Sequence, residues 1–491
     1  MSQLRFLLDT NVAIPTEPTS PVDVGVNAAD AAALHQACTR AGISLFLHPA
    51  SQADLDRDRD EVRRQYRRGL FAKYAELQDA PAISDRTKQV LRDPSHGSND
   101  WVDHSLIEAA ARSCANFLVT EDLGIHRKAR RLGLTNIVSI KAALDVVRRL
   151  FDRETEPPPA VEHLFVYTLD HGDSIFDSFR EDYPGFDRWL AKCSSEHRKA
   201  WVIKRGGKLA GIAIYKREDG SEIDEQGPVL KLCSFKVADE HRGMGYGELL
   251  MRSSYDFARE NGLKWIYLTA FEEKQPHLLA FLEDLGYERL GEMKDGKELI
   301  YTKPVGHHGE LPDISDPGEY LRRYGPFEFK RAVATPYLVP IKPEFPRVLF
   351  PDAEHEVDLF PGELYFGNVL RKAYLCNANL RKIMPGDLLF FYQSEGSADV
   401  QVVGAVEQVH VSRDPGEIAG YVGKRTVYSL AQIEDLSSKE VLVLLFMTIK
   451  AKGSPLSLDV MRDRGVVKAH PQTIQSLPKE HLPWLLTQLS L

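Results

Sequence analysis

Residues 230–259, LKLCSFKVADEHRGMGYGELLMRSSYDFAR, constrain the fold of this 491-residue chain more than any other stretch. They open on apolar residues, several β-branched or aromatic, that suit a buried strand. A basic, glycine-rich turn follows, Arg242, Gly243, Met244, Gly245, Tyr246 and Gly247, and then Leu249, Leu250, Ser253, Tyr255, Phe257 and Ala258 recur at roughly helical spacing. The first N–H groups of a helix have no acceptor within it and point outward at its positive end. Glycines without Cβ atoms let a pyrophosphate come close enough to receive them, although such turns also serve plain chain reversal. The spelling matches neither GxGxxG nor GxxxxGK[ST].

RGMGYG fits RxxGxG instead, and that pattern resembles the acyl-CoA loop of the GNAT acetyltransferases. The resemblance runs over residues 163–304: a strand HLFVYTLD, two helices, a hairpin AWVIKRGGKLAGIAIYKRED, the strand and loop above, a strand KWIYLTAF, a helix PHLLAFLEDLG and two last strands. It implies a mixed sheet with helices and acetyl-CoA as the bound group. The pyrophosphate is expected on Arg242, Gly243, Met244, Gly245, Tyr246 and Gly247, with main-chain groups of Phe235, Lys236 and Val237 along the pantetheine arm. The family often supplies the acid for the departing thiolate as a tyrosine four residues before a glycine; FLEDLGY puts Leu282 there. Tyr246, Tyr255 and Tyr287 do not match that position, and no base stands out among Glu222, Asp224, Glu225, Glu272 and Glu273, so the catalytic residues stay unassigned.

The length suggests about three domains. We read 1–151 and 327–491 as modules flanking 163–304. The charged, proline-rich 152–162 and the Gly/Pro/His-rich 305–326 serve as linkers. The net charge of −9 comes from the middle: residues 151–326 hold 24 basic and 33 acidic side chains. That excludes a generally basic nucleic-acid binder and favours a cationic acceptor such as an amine. The five scattered cysteines form no CxxC pair, so neither a disulfide framework nor a zinc site is expected. No apolar run of spanning length and no signal peptide is read, which predicts a cytoplasmic protein without a membrane partner.

In the first module, FLLDTNVAI places Asp9 after a strand, LFLHPASQADLDRD leads to Asp54 at a helix start, and NDWVDHSLIEAAARSCANFLVTEDLGI carries Asp103 on a helix and Asp122 after a strand. Alternating strands and helices predict a parallel α/β sheet with ligands at the carboxyl ends of its strands. Carboxylates converging there ionise together cheaply only around a divalent cation; taken singly, each aspartate is equally an N-cap or turn residue. The signature resembles the PIN-domain ribonucleases, which implies Mg²⁺ or Mn²⁺ on Asp9, Asp54, Asp103 and Asp122, with Asp56 as a rival to Asp54 and Asp100 as an assistant. The basic run 126–131 is placed to meet phosphate.

In the last module, RAVATPYLVPIK, ELYFG, DLLFFYQ, QVVGAVEQVHV and KEVLVLLFMTIK read as strands of a small β-barrel, with helices at LRKAYLC and LPKEHLPWLLTQL. LVPIKPEFPRVLF, PGDLLFFY and VVGAVEQV are similar to the ASCH domains of the PUA-like superfamily. That resemblance implies RNA binding, with Lys342 and Glu344 by a cleft, Arg371 and Lys372 on phosphates and Tyr392 as a stacking surface.

The whole reads as a multidomain α/β and α+β chain: an acetyl-CoA-dependent N-acetyltransferase of an amine, with RNA, tRNA among the candidates, as partner. Its rivals are a metal-dependent ribonuclease with acyl-CoA as regulator, and a non-enzymatic RNA-binding scaffold.

Overall fold

Short strands buried on both faces build the amino-terminal sheet of the computed structural model. Phe6, Leu7 and Leu8 of β1 (Arg5–Leu8) and Phe117, Leu118 and Val119 of β4 (Phe117–Val119) are all at most 2% exposed, the burial typical of parallel sheets. With β2 (Ser44–Leu47), β3 (Ala75–Glu76) and β5 (Ile137–Val138) they form the order β3-β2-β1-β4-β5, every pair parallel. The connections carry helices α1 (Thr10–Thr16), α2 (Ala28–Ala41), α3 (Ser51–Asp56), α4 (Asp85–Leu91), α5 (Asn99–Ala111), α6 (Leu123–Arg131) and, last, α7 (Ile140–Phe151). The order reverses between β1 and β4, so their carboxyl ends open the crevice where ligands of such sheets collect.

The structure describes residues 4–16, 27–56, 61, 64, 74–151, 160–219, 223, 227–242, 244–293, 298–306, 314–341, 370–393, 399–425, 428–450, 456–469 and 471–491. Among them no helix is long and apolar enough to cross a membrane. Met1–Thr155, Leu375–Asn377 and His410–Val443 form one compact unit, and Glu156–Tyr374, Ala378–Val409 and Leu444–Leu491 another.

The second unit contains a seven-stranded mixed sheet. Its strands are β6 (Val161–Phe165), β7 (Lys199–Arg205), β8 (Lys208–Glu218), β9 (Val229–Val237), β10 (Trp265–Ala270), β11 (Glu288–Glu292) and β12 (Leu299–Pro304), in the order β11-β12-β10-β9-β8-β7-β6. Side chains alternate between its faces. Ala200, Val202, Ile212 and Ile214 pack with Phe179, Phe186 and Leu190, from α8 (Asp177–Asp182) and α9 (Phe186–Ser195). Ile203, Ala213, Leu232 and Leu268 pack with Leu249, Leu250 and Leu282, from α10 (Tyr246–Glu260) and α11 (Pro276–Asp284).

Beyond helix α12 (Pro317–Tyr324), β13 (Pro336–Ile341), β14 (Arg371–Cys376), β15 (Leu388–Gln393), β16 (Asp399–Ser412), β17 (Val441–Lys450), β18 (Leu456–Ser457) and β19 (Gln475–Ser476) build a third sheet. Its described strands follow the path β14-β17-β16-β15-β13-β19, with β18 on β16. The segment 370–376, expected as a helix, instead forms strand β14 from Arg371 onward, because pairing beside β17 and full burial of Ala373 override local helix propensity. Two helices between β16 and β17, α13 (Pro415–Val422) and α14 (Leu430–Leu436), belong to the first unit. There, Gly416 and Gly420 of α13 leave room for Asn116, which a Cβ at either would approach to 2.5 and 2.8 Å.

Within the second unit Lys303 is fully buried, and its Nζ donates to the carbonyls of Leu285 at 2.8 Å, Arg322 at 3.2 Å and Arg323 at 2.9 Å. It thereby ties the end of α11 to the end of α12. Gly286, at φ +79°, makes that approach possible: a Cβ there would sit 1.9 Å from the Arg322 carbonyl oxygen. Gly262 has a similar φ of +62° with nothing within 4 Å. In urea unfolding, Gly262→Ala should therefore cost about 1–2 kcal/mol for the left-handed conformation alone. Gly286→Ala should cost roughly 2 kcal/mol more; equal costs would mean the approach of α12 is not as close as described.

Candidate functional site

The cradle begins at a defect in the sheet. Ile214 of β8 lies opposite Ser234 and Tyr215 opposite Leu232, which leaves Cys233 as the extra residue of a bulge in β9. The parallel ladder between β9 and β10 runs from Val229 beside Trp265 to Leu232 beside Leu268, and stops there. A bulge bends its strand and increases its twist, so the two strands part at Cys233. Thereafter β9 is held by β8 as far as Val237, and β10 by β12 as far as Ala270. The edge of residues 233–237 that had faced β10 presents main-chain groups that need a partner.

Helix α10 starts beside this opening. Its N-cap is Gly245, at φ 80°, which supplies no side-chain acceptor for the first-turn N–H groups. A Cβ at Gly247 would lie 3.1 Å from the Phe281 ring, which in turn stacks on Phe235 at 5.9 Å. Only glycine lets the first turn settle onto that ring without a shift. Tyr246 is buried, accepts from Arg205 Nε at 2.9 Å and stacks on His241. Arg242 pairs with Asp239 at 2.6 Å while half of its side chain stays exposed, and a surface pair of that kind is worth only ~0–1 kcal/mol. The guanidinium is therefore cheap to transfer to a phosphate. Met244 follows on the loop, and Gly243 lies outside the described residues. A glycine-started helix, an exposed arginine and an unfilled strand edge suit a pyrophosphate followed by an extended arm with amide groups, as in acetyl-CoA.

Leu282 is fully buried, so the position at which the GNAT resemblance leads to an acid is apolar here. Tyr255 and Tyr287 lie in the same core, and burial raises both phenols above their ordinary range. Lys236 extends to the other face, where its Nζ donates to Ser178 and lies over the Phe179 ring at 5.7 Å. Val237 is partly buried against the α10 side of the sheet. Of the carboxylates considered from sequence, Glu222, Asp224 and Glu225 lie outside the described residues, and Glu272 and Glu273 are exposed.

Another cluster joins residues far apart in the chain. Glu298, one residue before β12, accepts from the Tyr183 hydroxyl through Oε1 at 2.7 Å and from the Thr269 hydroxyl through Oε2 at 3.0 Å. Burial, then the neighbouring Glu298, raises the Tyr183 phenol far above its ordinary value, so it stays a donor. Phe271 packs on the Tyr183 ring at 5.1 Å. Tyr183 and Glu298 are 115 residues apart, and no local spelling joins them.

In the first unit, the acidic candidates approach one another without forming a ligand set. Asp9 accepts from Thr10 N at 2.6 Å, Asn11 Nδ2 at 2.8 Å and Thr120 Oγ1 at 2.6 Å. Burial pushes its carboxyl up to about 6, and the charges of Asp54 and Asp103 add to the rise. Asp100 and Asp103 share Lys128, at 2.6 Å each. Asp122 caps α6 by accepting from Gly124 N at 2.5 Å and Ile125 N at 3.4 Å. Among the described residues, no group of three or more His, Cys, Asp or Glu could hold a metal ion. The expected Mg²⁺ or Mn²⁺ set on Asp9, Asp54, Asp103 and Asp122 gains no support from this arrangement: Lys128 engages Asp103, the Asn11 and Thr120 side chains and Thr10 N engage Asp9, and backbone N–H groups engage Asp122. Asp56's side chain lies outside the described residues.

The RNA-facing candidates also change. Arg371 is 6% exposed, bonded to Asp284 Oδ2 at 2.6 Å and Glu407 Oε1 at 2.9 Å, and Lys372 is 3% exposed. Tyr392 is 1% exposed and donates its hydroxyl to the Pro471 carbonyl. These three side chains are buried and offer no surface to a phosphate or a base. Lys342 and Glu344 lie outside the described residues.

Residues 165–287 match the model of the Acetyltransferase (GNAT) family. N-acetyltransferase family 8 member 2 of Rattus norvegicus is 26% identical over 125 residues, which are 25% of this chain and 53% of that protein, so the chain spans about half the length of this curated relative. Among solved structures, ribosomal-protein-S18-alanine N-acetyltransferase from Escherichia coli is 16% identical, with a TM-score of 0.23 over 32% of this chain and 100% of that one. ASCH from Zymomonas mobilis is 14% identical, with a TM-score of 0.24 over 32% of this chain and 96% of its own.

Asp9 makes the stability of the first unit depend on pH. Its carboxyl holds a proton more tightly folded than unfolded, so its contribution is full below about pH 4 and is lost as pH rises through about 6. Asp9→Asn removes that loss. Urea unfolding should show the variant gaining on the parent by on the order of 2 kcal/mol between about pH 4 and 8; a difference flat with pH would mean Asp9 is not held in a desolvated site.

Proposed function

We propose that this chain is an acetyl-CoA-dependent N-acetyltransferase acting on an amine. The observation that carries the reading is the parting of β9 and β10 at Cys233 beside the glycine-capped start of α10, inside the segment that matches the family model. The first turn of α10 and Arg242 would hold the pyrophosphate, and the free edge of residues 233–237 the pantetheine arm. Bound acetyl-CoA supplies an acyl thioester, and the protein's part is to orient it and receive the amine.

We place the acceptor amine on an RNA-associated molecule, a tRNA or a nucleobase among the candidates. The support is the parallel α/β sheet of the first unit and the ASCH-like spelling of the last module, both of which resemble RNA-handling domains. The basic run 126–131 is the surface we assign to phosphate, although Lys128 within it is paired. The metal-dependent ribonuclease reading gains no support from the first unit, where no group of three or more His, Cys, Asp or Glu among the described residues could hold a metal ion.

Calorimetric titration with coenzyme A should give a dissociation constant in the range of about 1 µM to 1 mM usual for enzyme substrates. Arg242→Glu should weaken it by about tenfold or more, by setting a like charge beside the pyrophosphate. No heat with the wild-type protein would contradict the reading. Labelled acetyl-CoA incubated with the protein and total cellular extract should then mark an amine-bearing fraction; nuclease-sensitive label supports the RNA assignment, and label confined to proteins or small amines removes it.

A further inference from the structure

The sheet face under α8 and α9 carries the Glu298 cluster, which the acyl-CoA cradle does not use. Thr269 is the residue that would have paired with Cys233 had the β9–β10 ladder continued one step, so its hydroxyl stands at the mouth of the opening. Glu298 is held there by donors from two other elements, the phenol just after α8 and the end of β10. Tyr183, Thr269 and Glu298 are each only partly buried, so a molecule from solvent can reach them.

On the acetyl-transfer reading above, we infer that Glu298 binds the ammonium group of the acceptor and takes its proton, with Tyr183 and Thr269 as positioning residues. The acceptor is then a cationic primary amine that enters from the α8–α9 face. A carboxylate accepts about four hydrogen bonds, and the two hydroxyls use two of them, so an ammonium can dock on the same group. The Tyr183 ring, packed at 5.1 Å on Phe271, forms an apolar wall that suits the amine's carbon stem, while the Phe271 face carries the Lys274 ammonium at 5.2 Å. Two described cations of this face have partners of their own. Lys274 is engaged with Asp182 at 3.1 Å, and Lys236 donates to Ser178. The surplus of acidic over basic residues in 151–326 draws cations to the region.

The proton balance closes with this one carboxylate. Of the three protons on the ammonium nitrogen, Glu298 takes one before attack and later returns it to solvent. The freed lone pair forms the C–N bond as the C–S bond breaks, a second proton ends on the departing sulfur, and the third stays on the amide nitrogen. General-base assistance of this kind contributes about 10²–10⁴-fold.

Three measurements on the full chain test this. Calorimetry with coenzyme A reads the cradle and should be the same for wild type and Glu298→Gln. Saturation-transfer NMR with n-butylammonium, without acetyl-CoA present, should give a signal with wild type and with Glu298→Asp, lose it with Glu298→Gln, and show none with n-butanol. Acetylation of n-butylamine should fall about 100-fold in kcat in Glu298→Gln; Tyr183→Phe, which leaves the carboxylate in place, should lower kcat about tenfold with KM unchanged. Butylammonium signals that are equal in wild type and Glu298→Gln, or absent from both, overturn the inference while coenzyme A binding stands. A wild-type protein that does not bind coenzyme A overturns the acetyl-transfer reading beneath it.

Discussion

One extra residue, Cys233, sets the geometry of the middle sheet. Because it bulges from β9 against β8, the strand bends where its ladder with β10 ends, and each strand then follows its outer neighbour. The opening is thus enforced from both sides: β8 holds one lip and β12 the other. Everything assigned to the site hangs on that separation. The free edge of residues 233–237 lines it, α10 begins beside it with a glycine cap, and Thr269 presents a hydroxyl at its mouth. A ladder continued through Cys233 and Thr269 would close the cradle and bury the cluster.

The amino-terminal sheet has an equally suitable crevice whose chemistry has been taken up internally. The carboxyl ends of β1 and β4 bring Asp9 and Asp122 together with Asp103 from α5, as in a cation site. However, Lys128 from α6 supplies the positive charge to Asp103 and Asp100, and Asp122 turns to the N–H groups of its own helix. Asp9 is left in a desolvated pocket of neutral donors, which is why its carboxyl binds a proton more tightly than usual. The same pattern holds in the second unit, where Arg371 and Lys303 spend their charge on carboxylates and helix-end carbonyls.

Local patterns in the sequence were enough to read the strand–glycine–helix unit, the alternation of the parallel sheet and the order of elements in the mixed sheet, because each depends on periodicity and turn chemistry within about twenty residues. Burial was harder to read. Arg371, Lys372 and Tyr392 have the composition of a surface patch, and only the pairing of β14 beside β17 and the arrival of Asp284 turn them inward. Lys128 looked like one member of a basic run, and its partners lie on a different helix. Glu298 could not be found from sequence at all, since Tyr183 and Thr269 reach it only after three separate elements have packed.

On the proposed function, the parted strands and the start of α10 form one cradle for an acyl-CoA. Hydrogen–deuterium exchange of the protein with and without acetyl-CoA addresses it most directly, because amides that gain a partner exchange more slowly. Slowed exchange is expected in two separate peptides, one covering residues 233–237 and one covering residues 244–248, with the Asp9 and Lys128 region unchanged. Unaltered exchange in both peptides at saturating acetyl-CoA would contradict it.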